Sequence, residues 1–172
     1  MDESVAALVA KHEIEEVVLR YCRGIDRMDR ELVRSCYHPD ASDEHGSFHG
    51  GVDAFLDWVM KLLARYETTM HFIGNVLVEL AGDAAVAESY GVAWHRSPDP
   101  RPQWNPVTGF RTLDRFERRD DAVWRIARRV AVPEWSRVDD PKARWVPPPG
   151  LRVGRRDRSD ALYELLDDLR RS

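Results

Sequence analysis

The stretch TTMHFIGN, residues 68–75, sets a titratable ring, His71, at the head of an apolar run. A carboxylate that meets such a ring orients it and stabilises its charged form, which makes the imidazole a general base. The run YCRGIDRMD offers that carboxylate as Asp26. Asp29 is the better helix cap in the same run, so Asp26 lacks an obvious structural duty beyond pairing with Arg23. A third group, His95, closes AESYGVAWH. A hairpin turning at Gly82–Asp83 returns His95 beside His71, with residue 71 opposite 94 or 95. Two histidines then share one end of a sheet. Tyr21, one turn before Asp26, and Tyr37 offer hydroxyls to a substrate oxygen, or serve as core rings. Arg129, in WRIARRVAV, alternates with Ile126 and Val130. It binds an anion or carbonyl if its face lines a cavity, and forms a surface ion pair if not.

The elements that must position these groups follow from periodicity. Apolar residues at Val5, Leu8, Val9, Ile14, Val17, Val18, Tyr21 and Cys22 predict an amphipathic helix over 4–23, interrupted near its end by Gly24. DRELVRSC predicts a short second helix capped by Asp29 and stopped by Pro39. HPDASDEHGSFHGG is rich in turn formers, and Gly50–Gly51 leads into a third helix whose Phe55, Trp58, Val59, Leu62 and Leu63 share a face. Strand periodicity then takes over: HFIGNVLVEL, AAVAESYGVAWH, a proline-rich loop, GFRTLDRFERR, a turn at Asp120–Asp121, and AVWRIARRVAVPEW. Helices before an antiparallel meander imply an α+β layer fold, a curved sheet and helices forming a cone with a cavity between them. Its expected walls are Ile25, Phe55, Trp58, Ile73, Trp94 and Leu113. Beyond residue 137 the composition changes to a polar connector, and SDALYELLDDLRRS predicts a short helix capped by Ser159, with Leu162, Leu165, Leu166 and Leu169 as its stripe. The domain reading is therefore 1–137, with 138–172 as an extension.

With 172 residues, 43% hydrophobic and 33% charged, the chain suits one globular domain. A formal charge of −4 argues against a nucleic-acid binder. Cys22 and Cys36 have neither CxxC nor zinc spacing, and no apolar run reaches membrane-spanning length, so a reducing, cytoplasmic setting is the expectation. His45 and His49, with Asp40 and Asp43 nearby, lack the helical frame that makes paired histidines a persuasive metal site. No nucleotide-binding or serine-nucleophile motif occurs. Neither metal nor cofactor is expected. Val76, Val78, Val86 and Tyr90 are expected on the outer sheet face, where a dimer or trimer of the chain would cover them.

Taken in order, YCRGIDRMD, HPDA, TTMHFIGN, AESYGVAWH, DRFERRDDAVWRIARR and PEW resemble the SnoaL-like branch of the nuclear-transport-factor-2-like superfamily, over residues 8–137. That branch includes scytalone dehydratase and hexachlorocyclohexane dehydrochlorinase. The resemblance implies an Asp–His pair for proton abstraction, matched by Asp26 and His71, and a second histidine assisting at an oxygen, matched by His95. Two departures stand out: the tyrosine beside the dehydratase's aspartate is Ile25 here, and its polar pair on a later strand falls at Arg111 and Leu113. The implied function is a cofactor-independent lyase or isomerase acting on a small, largely apolar cyclic molecule. The alternative is a non-catalytic binding or oligomeric subunit protein, like the small subunits of ring-hydroxylating dioxygenases. An epoxide hydrolase would want an Asp–Arg–Asp set that Asp26 and Arg129 supply only in part.

Overall fold

A computed structural model describes residues 3–98, 105–140 and 147–171. The first helix, α1 (Glu3–Asp26), buries Ile14, Val17, Val18, Tyr21 and Ile25 on one face. It runs past Gly24 rather than stopping there. A Cβ on Gly24 would lie 2.6 Å from Val33 Cγ2, so the glycine is a place of close approach. It lets α1 touch the next helix, α2 (Arg30–Ser35), and fixes where Asp26 emerges two residues later. Asp29 caps α2, its side chain accepting from Leu32 N at 3.0 Å.

The turn-rich stretch after α2 holds two strands, β1 (Tyr37–His45) and β2 (Phe48–Gly51), before α3 (Val52–Leu63). Tertiary pairing overrides the local turn chemistry here: β1 runs antiparallel to β2 and parallel to the last strand. The meander follows as β3 (Thr68–Ala81), β4 (Ala84–Arg96), β5 (Asn105–Arg118) and β6 (Trp124–Asp139). Gly82, at φ +63°, makes the β3–β4 turn as expected. The sheet order is β2-β1-β6-β5-β4-β3. Part of the proline-rich loop, 99–104, lies outside the described residues, and Asn105–Gly109 already belong to β5.

Irregularities in β3, β5–β6 and β1–β6 bend the sheet around the helices. They also reset which side chains face inward. The break between Ile73 and Val76 turns Val76 and Val78 into the core, contrary to their expected outward position, whereas Val86 and Tyr90 are exposed beside Met70, Phe72 and Leu77. A slip near Ala127 puts Ile126 and Arg129 on the same, inner face, where strict alternation would separate them. The core lies between the inner sheet face and α1 and α3, built on Ile14, Val17, Phe55, Leu56, Phe116 and Ile126.

Residues 141–146 of the connector lie outside the described residues. Beyond them the chain returns to the domain through Arg156, which donates to the carbonyls of Asp26 (3.4 Å), Leu63 (2.8 Å) and Tyr66 (2.7 Å). The final helix, α4 (Ala161–Arg171), is capped by Asp160, which accepts from Leu162 N at 3.1 Å, while the Ser159 hydroxyl turns to Asp157. Tyr163 is its buried residue, its hydroxyl donating to Asp29. Leu165 and Leu169 of the expected stripe face solvent. Among the described residues no helix is long and apolar enough to cross a membrane.

Candidate active site

Between α1, α3 and the inner sheet face lies a cavity of about 300 Å³, at the small end of the range for ligand pockets. Its walls include Val18, Ile25, Trp58, Ile73, Ala93 and Phe110, and its polar lining includes Tyr21, His45, His71, His95 and Arg129.

Asp26, at the last residue of α1, points across to the start of β3. One carboxylate oxygen, Oδ1, accepts from His71 Nδ1 at 2.7 Å and from the Thr69 hydroxyl at 2.9 Å. The other, Oδ2, accepts from the backbone N–H of His71 at 2.8 Å. Burial opposes ionisation of this carboxyl, but the bonds from His71 and Thr69 outweigh it and hold Asp26 below the ordinary carboxylate range. An ionised Asp26 requires the proton on His71 Nδ1, leaving Nε2 as the basic nitrogen of a ring on the cavity wall.

His71 pairs with Ala93 and His95 with Thr69, so the register differs by one to two residues from the expected opposition. Residues 69, 71, 93 and 95 share the inner face, and the two rings still meet edge to face at 5.8 Å. His95 also packs on Tyr66 at 4.8 Å. Burial, and then the charge of His71, lower its pKa to about 4, so His95 is neutral near pH 7. An imidazole released by unfolding titrates near 6.5. Between these values the unfolded chain holds a proton that the folded one refuses. Stability therefore falls as pH drops from 6.5 towards 4, with His95 contributing about 1–3 kcal/mol of that loss. Asp26 adds a further loss at lower pH, as its carboxylate protonates. In urea denaturation across this window, His95→Gln is expected to flatten the slope; an unchanged slope would place the titration elsewhere.

Arg129 is 1% exposed and makes a two-pronged pair with Asp114, Nε to Oδ1 at 2.7 Å and Nη2 to Oδ2 at 2.6 Å. Its guanidinium lies 3.9 Å from the centre of the Tyr21 ring, and its Nη1 has no partner among the described residues. Burial pushes both Tyr21 and Tyr37 hydroxyls far up, so neither gives up its proton readily.

Several expected positions need correction. Tyr37 does not line the cavity; it lies behind the wall, its hydroxyl donating to Asp43 Oδ2 at 2.7 Å. Phe55 is buried in an aromatic cluster with Tyr37, His45, Phe48 and Trp58 rather than at the wall. Trp94 falls between the inward Ala93 and His95, and Leu113 between the inward Thr112 and Asp114, so both belong to the outer face by strand alternation. Arg111 is outward too, held by Glu88 and Glu134 at 2.6 Å each. Ile25, Trp58 and Ile73 do line the cavity.

The sequence pattern does not single out Thr69, Phe110 or Asp114. Thr69 was within reach of period-two reasoning, being two residues before His71. Phe110 fits because Gly91 opposite it has no side chain: a Cβ there would lie 2.5 Å from the Phe110 ring. That ring then reaches within 6.0 Å of His71. Among the described residues no group of three or more His, Cys, Asp or Glu side chains is arranged to hold a metal.

The family model for the SnoaL-like domain matches residues 6–130. The chain belongs to the SnoaL-like family. Solved structures of the same fold include a putative scytalone dehydratase from Novosphingobium aromaticivorans (20% identity, 83% of this chain and 99% of that one, TM-score 0.70). They also include a type 2 hexachlorocyclohexane dehydrochlorinase, LinA (18%, 87% and 100%, TM-score 0.74). A variant of Rv3472, a function unknown protein from Mycobacterium tuberculosis, aligns over 99% of this chain and 95% of its own at 24% identity and TM-score 0.65. Other neighbours are described as NTF2-like and as having a cystatin-like fold, which makes this SnoaL-like chain an α+β protein of that architecture. No curated protein matches it.

Proposed function

We propose that this SnoaL-like protein is a cofactor-independent lyase or isomerase that removes a proton from carbon in a small, largely apolar cyclic ketone or alcohol. One observation carries the reading: a buried carboxylate with three donors holds an imidazole on the wall of a mostly apolar cavity. Dehydratase and dehydrochlorinase neighbours of the same fold support the reaction class. In the proposed chemistry, Nε2 of His71 takes a proton from the carbon beside a carbonyl, and Asp26 stabilises the imidazolium. Neutral His95 donates to the oxygen on which charge develops, where a hydrogen bond in a water-poor site is strongest. Returning the proton at another carbon completes an isomerisation; loss of a β-substituent completes an elimination.

Incubation with cyclohexanone, cyclohexenone and their β-hydroxy derivatives in D2O tests this. The expected result is enzyme-catalysed deuterium incorporation at the α-carbon, read by NMR. Binding of these compounds without exchange above buffer would make the protein a carrier instead. The same reading treats 138–172 as an extension of a 1–137 domain, and places a second copy of the chain on the exposed Met70, Phe72, Leu77 and Val86 face.

A further inference from the structure

The cavity carries a second carboxylate–imidazole pair. Asp43, fully buried in β1, has Oδ1 without a partner, and His45 has a buried Nδ1 likewise without one; the two atoms are 3.5 Å apart. The other Asp43 oxygen is already taken by the Tyr37 hydroxyl at 2.7 Å. At that separation the two atoms are an ion-pair contact, just short of a hydrogen bond. His45 ends β1 beside Gly46, whose φ of +60° makes the turn, and both residues line the same cavity as His71. Phe55 stacks on the His45 ring at 5.5 Å and fixes its plane.

Asp43 sits in a charged neighbourhood. Asp43 neighbours Arg129 across the β1–β6 pairing, and Arg129 is already engaged by Asp114. Two buried carboxylates thus face one buried guanidinium, and the Asp43 oxygen that Tyr37 leaves free is turned to the His45 ring. The other candidates for proton delivery are poorly suited to it: His95 is neutral near pH 7, Tyr21 holds its proton tightly, and Tyr37 is behind the wall and engaged with Asp43.

We propose that Asp43 and His45 form a second acid–base pair of this cavity, in which His45 Nε2–H protonates the oxygen that leaves the substrate. This deepens the proposed elimination chemistry and rests on it. The C–H electron pair becomes the carbon–carbon double bond while His71 holds the proton. The C–O pair stays on oxygen, collects the proton of His45 and departs as water. Solvent returns one proton to His45 and removes one from His71.

The test compares leaving groups. A hydroxyl needs protonation to depart, whereas acetate does not. His45→Gln is expected to slow elimination of β-hydroxycyclohexanone by about 10²- to 10³-fold, within the range for a positioned acid. Elimination of β-acetoxycyclohexanone, and α-deuterium exchange into cyclohexanone, should stay within about threefold of wild type, since neither needs an acid at the leaving oxygen. The substitution is at a turn with 35% of the side chain exposed, and circular dichroism checks that the fold is kept. Equal slowing of both eliminations, or of neither, overturns the proposal. Absent α-exchange in wild type would instead sink the parent reading. In that event nitrogen NMR of labelled histidines decides the pair on its own: neutral His45 should carry its proton on Nδ1 and shift when cyclohexanone is added. A neutral ring protonated on Nε2 with Nδ1 bare, or no response, refutes it.

Discussion

His71→Ala is expected to lower turnover, and α-deuterium exchange with it, by about 10³- to 10⁴-fold while leaving the fold intact. Asp26 holds this ring by Nδ1 and so leaves Nε2 basic, and no other imidazole among the described residues is hydrogen-bonded to that carboxylate. His95 is the nearest ring, at 5.8 Å, but with its pKa near 4 it is too weak a base. Asp26→Asn is the sharper variant, because it keeps the shape of the end of α1. An amide in place of the carboxylate meets three donors with one oxygen, so at least one hydrogen bond is lost and the His71 tautomer is no longer fixed. A fall in kcat with little change in KM is the signature of such a loss. Full activity of either variant would move the base elsewhere.

The largest effect on stability is expected at the floor of the cavity. Asp114→Ala leaves the Arg129 guanidinium buried and short of its only carboxylate hydrogen bonds among the described residues. Removing one member of such a pair costs about 3–5 kcal/mol, a large share of the 5–15 kcal/mol that typically holds a domain together. Joint replacement by Asp114→Leu and Arg129→Met, which removes both charges, should recover most of it. Urea denaturation midpoints of the single and double variants measure this. A single variant as stable as wild type would mean that Asp43, next to Arg129 in the β1–β6 pairing, takes over as its partner.

How much of this was legible in the sequence depends on which force decides each element. The periodicity of α1, the Asp29 cap and the Gly82 turn are local, and they read correctly. Strands β1 and β2 are not local. HPDASDEHGSFHGG becomes strand because β6 lies alongside it, and no window of fourteen residues contains that information. The face of Val76 and Val78 was hidden for a related reason: an irregularity between Ile73 and Val76 inverts the alternation. Arg129 and Ile126 share a face through a similar slip. Trp94 and Leu113 are different, since simple alternation from His95 and Asp114 points them outward. The meeting of Asp26 and His71 lies between these cases. Residue types suggested it, and the resemblance to a family gave it a place, but only the crossing of α1 over β3 brings the atoms to 2.7 Å.

Arg156 gives the fold a long-range consequence. One guanidinium fastens the tail of the chain to three carbonyls, and one of these belongs to Asp26. The peptide that aims the carboxylate and the segment that ends in α4 therefore hang from the same hook. Whatever prises the tail away also unsteadies the aim of Asp26, and whatever steadies Asp26 makes the tail harder to lift, because coupling of this kind is reciprocal. The segment from Arg156 to Arg171, remote in sequence from the end of α1, is thereby moored to it.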